Sequence, residues 1–259
     1  MCRRDSAQDQ VNVRALLAFF TALPVSGPST SLDDATRRAY LLPFVGLLTG
    51  LPGAALLLLA YALPPGVAAT LALGAVLLAA GFHHTDGVLD VGDALMVRGS
   101  PERRREVLKD ARIGVGSVGA LFIVYAPPLA ALAALAGASP LWAVATLLTG
   151  EVAARSAMLL LLVFGKAGDP RSATGPFICS LKSRNRRGVA LVLTLTLPPL
   201  LALPLGIFAL LSALTVPAAM AYFTLKLSKR AFGGISGDVV GAAGELARAA
   251  LLVALSAAV

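Results

Sequence analysis

Charged side chains are scarce in this chain: Asp, Glu, Lys and Arg make up 14% of 259 residues, against roughly 25% in ordinary soluble domains. With 57% hydrophobic residues and a mean hydropathy of +0.81, an ordinary soluble globular domain is excluded. Cysteine is almost absent. Cys2 and Cys179 are too few for a framework of several disulfides or for a four-cysteine zinc site. Low-complexity tails and internal repeats are also missing, so residues 1–259 read as one membrane-embedded domain.

What is there in quantity is apolar sequence. Runs at about 41–62, 66–83, 117–136, 141–164, 188–202, 205–225 and 240–258 approach or reach the roughly 20 residues that cross a hydrocarbon layer. The expected fold is therefore an all-α, polytopic integral membrane protein of about seven transmembrane helices. Leu63-Pro64-Pro65 and the stretch from Gly137 to Pro140 suit tight helical hairpins, whereas Leu203-Pro204 leaves the turning point within 188–225 open. The apolar stretch at 15–25 is short and interrupted by Pro24, which predicts an interfacial helix within an N-terminal segment, 1–40, rather than a cleaved signal peptide.

Basic residues test this topology independently. Arg3, Arg4, Arg14, Arg37 and Arg38 precede the first span, and Arg98, Arg103, Arg104, Arg105, Lys109 and Arg112 fall in 84–116. Lys166, Arg171, Lys182, Arg184, Arg186 and Arg187 fall in 165–188, and Lys226, Lys229 and Arg230 follow the sixth span. All these segments lie on one side of a seven-span arrangement, while the opposite loops carry no Lys or Arg. The positive-inside rule then places the long loops in the cytoplasm, with the protein in the cell membrane, N-terminus inside and C-terminus outside. The net charge of +8 is explained by this bias and by anionic headgroups, so no nucleic-acid partner is required.

One stretch concentrates chemistry. Residues 84–93 read His-Thr-Asp-Gly-Val-Leu-Asp-Val-Gly-Asp, so Asp86, Asp90 and Asp93 recur at i, i+4 and i+7 and share one helix face. Three like charges repel, and a divalent cation relieves that repulsion; all-oxygen ligands suit Mg²⁺, with Mn²⁺ as the alternative. Solvated acids at a span end are the competing account, against which Gly87 and Gly92 allow close backbone approach. His84 has the chemistry of a general acid or base, or of a phosphate-orienting group, and equally that of a helix-end histidine bonded to backbone.

Other candidates gather around this stretch. Ser100 and Pro101 predict the start of a short basic helix. Beyond it, Lys109, Arg112 and the glycine-rich entry from Gly114 have the charges and backbone amides to hold a diphosphate, although such entries also serve helix packing. Glu151 and Arg155, spaced i, i+4 inside the fourth span, suit either a structural ion pair or a phosphate grip by Arg155. The glycine-rich segment 226–245 contains Gly233, Gly234 and Asp238. The topology puts Asp238 on the side of Asp86, Asp90 and Asp93, as a fourth carboxylate for a shared, two-metal type of site. Glu245 has a competing partner in Arg248, three residues on.

Taken together, Phe20-Thr-Ala-Leu-Pro24-Val, Pro43-Phe-Val-Gly46-Leu-Leu-Thr-Gly50, the 84–93 stretch, Lys109-Asp-Ala-Arg-Ile-Gly114 and Gly233-Gly-Ile-Ser-Gly-Asp238 resemble the cobalamin synthase (adenosylcobinamide-GDP ribazoletransferase) family over nearly the whole chain. Ala94 and Ser236 are small departures from the family pattern, which commonly has Gly and Thr there. The resemblance implies a Mg²⁺-dependent reaction in which the 5′-hydroxyl of α-ribazole, or of its 5′-phosphate, attacks the β-phosphorus of adenosylcobinamide-GDP and GMP departs. It implies Asp86, Asp90 and Asp93 at metal, Asp238 completing the metal shell or taking the hydroxyl proton, and Lys109 and Arg112 at the phosphates. The residue reading adds His84 as a candidate acid or base, and Arg155, Gly114, Gly233 and Gly234 as candidates around the phosphates. A homo-oligomer is compatible with this reading.

Two rivals are weaker. A CDP-alcohol phosphotransferase also expels a nucleoside monophosphate at Asp-rich helices, but its Asp-Gly is followed by Ala-Arg, where Asp86-Gly87 is followed here by Val88-Leu89. A cation-coupled transporter would use intramembrane acids as an ion path, yet has no evident need for Lys109, Arg112 and two glycine-rich segments on one face.

Overall fold

A computed structural model describes residues 13–25, 31–169 and 172–257. Arg3, Arg4, Arg171 and the last residue of the 240–258 span lie outside them. Among the described residues twelve α-helices follow one another: α1 Val13–Phe20, α2 Leu32–Arg37, α3 Leu42–Leu57, α4 Pro65–Ala79, α5 His83–Met96, α6 Pro101–Val107, α7 Val115–Ala138, α8 Pro140–Phe164, α9 Thr174–Ser180, α10 Arg184–Ala202, α11 Ile207–Phe232 and α12 Gly237–Ser256. Short 3₁₀ turns extend α3 at both ends and α10 at its end.

Six of these helices, with their extensions, are long and apolar enough to cross a membrane: those built on α3, α7, α8, α10, α11 and α12. α4 has 15 residues, about 22 Å of helix, and is marginal alone against a hydrocarbon layer of about 30 Å. It passes the same test only together with α5, from which it is bent by 93°. The second span was expected to run straight to residue 83. Instead it stops at Ala79, and Gly81 and Phe82, both at positive φ, turn the chain. α5 consequently lies across the ends of α7 and α12.

The termini follow from their residues. Ser100, Ser139 and Ser236 accept hydrogen bonds from Arg103, Trp142 and Val239 amides at the starts of α6, α8 and α12, and Pro101 and Pro140 take the first helical position. Gly206, at φ 90°, makes the turn into α11 and settles the open boundary within 188–225. Gly233, at φ 75°, closes α11 in the left-handed conformation.

α8 is the central post, with 83% of its most apolar stretch buried, and it packs against α3, α10, α11 and α12. α7 and α10, only 28% buried, form the apolar periphery. The chain connections alternate between two ends. At one end the turns are short, near Leu63, Ser139 and Gly206. At the other end lie α1, α2, α5, α6, α9 and the starts of α7 and α12. There the predicted interfacial helix is realised as α1, which buries Ala15, Leu16 and Phe20 in the main core cluster.

Candidate active site

α5 approaches two helix starts closely enough for backbone to meet backbone. A Cβ on Gly87 would lie 2.6 Å from the Asp238 carbonyl oxygen, and one on Gly92 would lie 2.7 Å from that of Gly116. Neither position has room for a methyl group. Asp238, 145 or more residues from the others in sequence, is thus seated beside the Asp86–Asp90 face of α5. Its own loop is pinned by a short parallel bridge: Ile235 N–H donates to the Lys166 carbonyl at 2.8 Å, and Gly168 N–H to the Ile235 carbonyl at 3.0 Å. Gly234 packs on Gly168 and Lys166 in that bridge, and the Arg105 guanidinium donates to the Phe232 carbonyl at 2.7 Å, closing the end of α11.

The four carboxylates divide into two roles. Burial, and then the charges of Asp86, Asp238 and Asp93, raise Asp90 to about 7. Asp93 behaves oppositely: burial works against its ionisation, but the Ser117 hydroxyl and the Gly114, Ser117 and Gly116 amides hold it below the usual carboxylate range. Gly114 N–H donates to Asp93 Oδ2 at 2.6 Å and Ser117 N–H to Oδ1 at 3.0 Å, and the Ser117 hydroxyl also bonds Oδ2. Asp93 therefore caps α7, where a carboxylate meets the positive end of the helix. The Gly114 amide expected to face a phosphate is occupied by this cap.

Among the described residues, no three His, Cys, Asp or Glu side chains converge closely enough to hold a metal ion as they stand. The donor set nevertheless fits a hard divalent cation, because it consists of carboxylates and because burial, followed by the neighbouring carboxylate charges, makes ionisation of Asp90 unfavourable without a cation. Asp86 is exposed and Asp90 and Asp238 are partly so, and Asp238 Oδ2 accepts from the Ser236 hydroxyl at 3.1 Å.

The expected phosphate-binding cations stand on the same end. Lys109 is exposed and meets Asp169 at 3.2 Å, while Arg112 chelates Asp110 at 2.7–3.1 Å. Arg112, Asp93 and Gly114 border a cavity of about 1020 Å³ between α5, α7, α11 and α12, whose other walls are largely apolar, among them Val91, Ile123 and Phe223. A second cavity of about 320 Å³, on the opposite flank of α5, is bordered by His83, His84 and Asp238.

Arg155 is elsewhere. It is fully buried and pairs with Glu151 at 3.3 Å, with Thr49 accepting from its Nη2 at 3.1 Å. Arg248 bridges Glu151, at 3.0 Å, and Glu245, and its guanidinium lies 5.6 Å from the Tyr125 ring centre. Two carboxylates and two guanidiniums thus close a neutral network across α8 and α12. Gly46 and Gly50 of α3 make the room for it, since a Cβ at either would press on Glu151. The i, i+3 competitor at Glu245 and Arg248 is realised. Tyr125 links the network to α5 by donating to the Thr85 hydroxyl at 2.9 Å. His84, buried at 5% exposure, is kept below its ordinary pKa by that burial and by Arg155 and Arg248.

Sequence reasoning missed Ser117 and Asp169, which hold Asp93 and Lys109. The only signal for Ser117 was its position in the first turn of an apolar span, and Asp169 had none.

The profile of the cobalamin-5-phosphate synthase family matches residues 12–256. The chain belongs to this family. An adenosylcobinamide-GDP ribazoletransferase of Methanocella arvoryzae is 34% identical over 264 residues, covering 95% of this chain and 95% of that protein. Proteins of the same name from Halorubrum lacusprofundi and Azorhizobium caulinodans are 38% and 34% identical, each over 93% of this chain and 94% of their own length. No solved structure matches.

Proposed function

We propose that this protein is an adenosylcobinamide-GDP ribazoletransferase, joining adenosylcobinamide-GDP to α-ribazole or α-ribazole 5′-phosphate and releasing GMP, with its site on the cytoplasmic face of the cell membrane. The observation that carries the reading is the seating of Asp238 against Gly87, which brings it within electrostatic reach of Asp86 and Asp90 and onto the wall of the smaller cavity. Transfer of a substituted phosphate requires positive charge at the diphosphate and a nucleophile held in line. Asp86, Asp90 and Asp238 would hold Mg²⁺, which when bound neutralises diphosphate charge and polarises the bridging oxygens. Asp93 keeps the start of α7 fixed to α5, Arg112 stands at the larger cavity to meet phosphate oxygens, and Lys109, exposed at the same end and paired with Asp169, supplies a second cation nearby.

The family's product is named as a 5-phosphate. Its ribose 5′ oxygen is therefore already esterified, and a secondary ribose hydroxyl is the nucleophile in place of the 5′-hydroxyl expected from the sequence. That oxygen bonds to the phosphorus next to cobinamide, the bridging P–O bond breaks, and GMP leaves with the bridging oxygen. The hydroxyl proton passes to Asp238 or His84, which border the smaller cavity. Among the described residues, every Lys and Arg other than the buried Arg155 and Arg248 lies towards this end, which supports its cytoplasmic orientation.

The test supplies purified protein in lipid nanodiscs with adenosylcobinamide-GDP, α-ribazole and Mg²⁺, and measures the cobamide product and GMP. Stoichiometric release, abolished in Asp86→Asn, is expected. Folded protein that forms neither product removes the proposal.

A further inference from the structure

The smaller cavity is walled differently from the larger one. Phe19 and Phe20 at the end of α1 and Phe177 of α9 form a cluster of rings with centres 4.9–5.7 Å apart. Met158 and Leu162 of α8 and Val240 of α12 close the other side. Such a slot, about 320 Å³ and apolar on both faces, suits a flat aromatic occupant near the small end of ligand pockets.

Two polar features interrupt the apolar wall. His84 is 95% buried, as its 5% exposure shows, and its Nδ1 has no hydrogen-bond partner. A buried ring nitrogen left unpaired is unfavourable, and a bound polar atom removes that cost. α12 passes close behind His84 at Gly241, where an added Cβ would lie 3.1 Å from the His84 Cα and 3.4 Å from the imidazole Cδ2. At the mouth of the same cavity stands Asp238.

We infer that this chamber seats the aromatic base of the acceptor nucleoside, with His84 Nδ1 bonded to a polar atom of the nucleoside and its ribose directed at Asp238. The inference rests on the ribazoletransferase reading and adds to it where one substrate sits. α-Ribazole carries a dimethylbenzimidazole whose outer edge is two methyl groups, matching Phe, Met and Leu walls. Guanine, the base of the other substrate, presents a carbonyl, a ring N–H and an amine on its edge, and such walls would leave them unpaired. The corrinoid ring is too large for 320 Å³.

Two variants test this in nanodiscs with the full chain. Phe19→Ala removes a ring that is 41% exposed, and Ala173→Trp fills the cavity from an exposed wall position. In both, the KM for α-ribazole should rise about tenfold or more while the KM for adenosylcobinamide-GDP holds. A rise in the donor KM instead, or no change in either, overturns the assignment while leaving the activity intact. Should the protein prove inactive, equilibrium dialysis of labelled α-ribazole without donor still reads the chamber. Saturable binding that is lost in both variants supports it, and binding absent from the wild type or persisting in the variants overturns it.

Discussion

Replacing Glu151 by leucine should be among the most damaging single changes in the molecule, although Glu151 touches neither cavity. It stands between Arg155 at 3.3 Å and Arg248 at 3.0 Å, and all three are buried at 0–1% exposure. With Glu151 gone, two guanidiniums share the single charge of Glu245, and one positive charge is left uncompensated in the apolar interior. Removing one partner of a buried pair costs about 3–5 kcal/mol. For a chain of this size that corresponds to an apparent melting temperature lower by about 6–20 °C. The double variant Glu151→Leu/Arg155→Leu restores neutrality, with Arg248 still paired to Glu245. It should recover most of the loss, so the two substitutions should be strongly non-additive. Melting of the wild type, both single variants and the double variant in one detergent gives the coupling directly. A Glu151→Leu protein as stable as the wild type, or a double variant whose loss equals the sum of the single losses, would refute the account of a charge-balanced network.

Three further outcomes are expected. Gly87→Ala forces a methyl to within 2.6 Å of the Asp238 carbonyl, which should cost about 1–3 kcal/mol and raise the Mg²⁺ concentration needed for half-maximal GMP release; unchanged metal dependence would separate α5 from Asp238. Ser117→Ala removes a hydroxyl bonded to both Asp93 and the Leu89 carbonyl and should lower stability by about 1–2 kcal/mol, read as a shift in denaturant or thermal midpoint. Asp90 has its folded pKa raised from 3.8 to about 7, so ionising it costs the folded state more than the unfolded one. In EDTA, stability should therefore fall as pH rises from about 4 to about 7, and Mg²⁺ or Asp90→Asn should flatten that fall; a melting profile independent of both contradicts the crowding of carboxylates.

The helices and most of the site's members were legible because each rested on local pattern. The i, i+4, i+7 spacing of Asp86, Asp90 and Asp93 is fulfilled by one helix, and Gly87 and Gly92 mark the close approaches for which glycine is required. The bend at Gly81 and Phe82 was hidden because apolar residues run up to it without interruption, so hydropathy alone extends the span. Asp93 looked equivalent to Asp86 and Asp90, since its hydrogen bonds to α7 depend on Ser117, 24 residues later. For Arg155 the i, i+4 spacing offered an ion pair with Glu151 and a phosphate grip alike; the pair is realised, and its completion by Arg248, 97 residues beyond Glu151, had no local signal. The aromatic chamber had no sequence signature, being assembled from α1 and α9, which only the fold brings together.

The short turns at Leu63, Ser139 and Gly206 leave one end of the molecule with no Lys or Arg outside the buried pair. Trypsin therefore has nothing to cut there. In sealed vesicles of mixed orientation, only those displaying α6 and the segment after α11 outward will be nicked, and the surviving fraction counts the opposite population without any engineered tag.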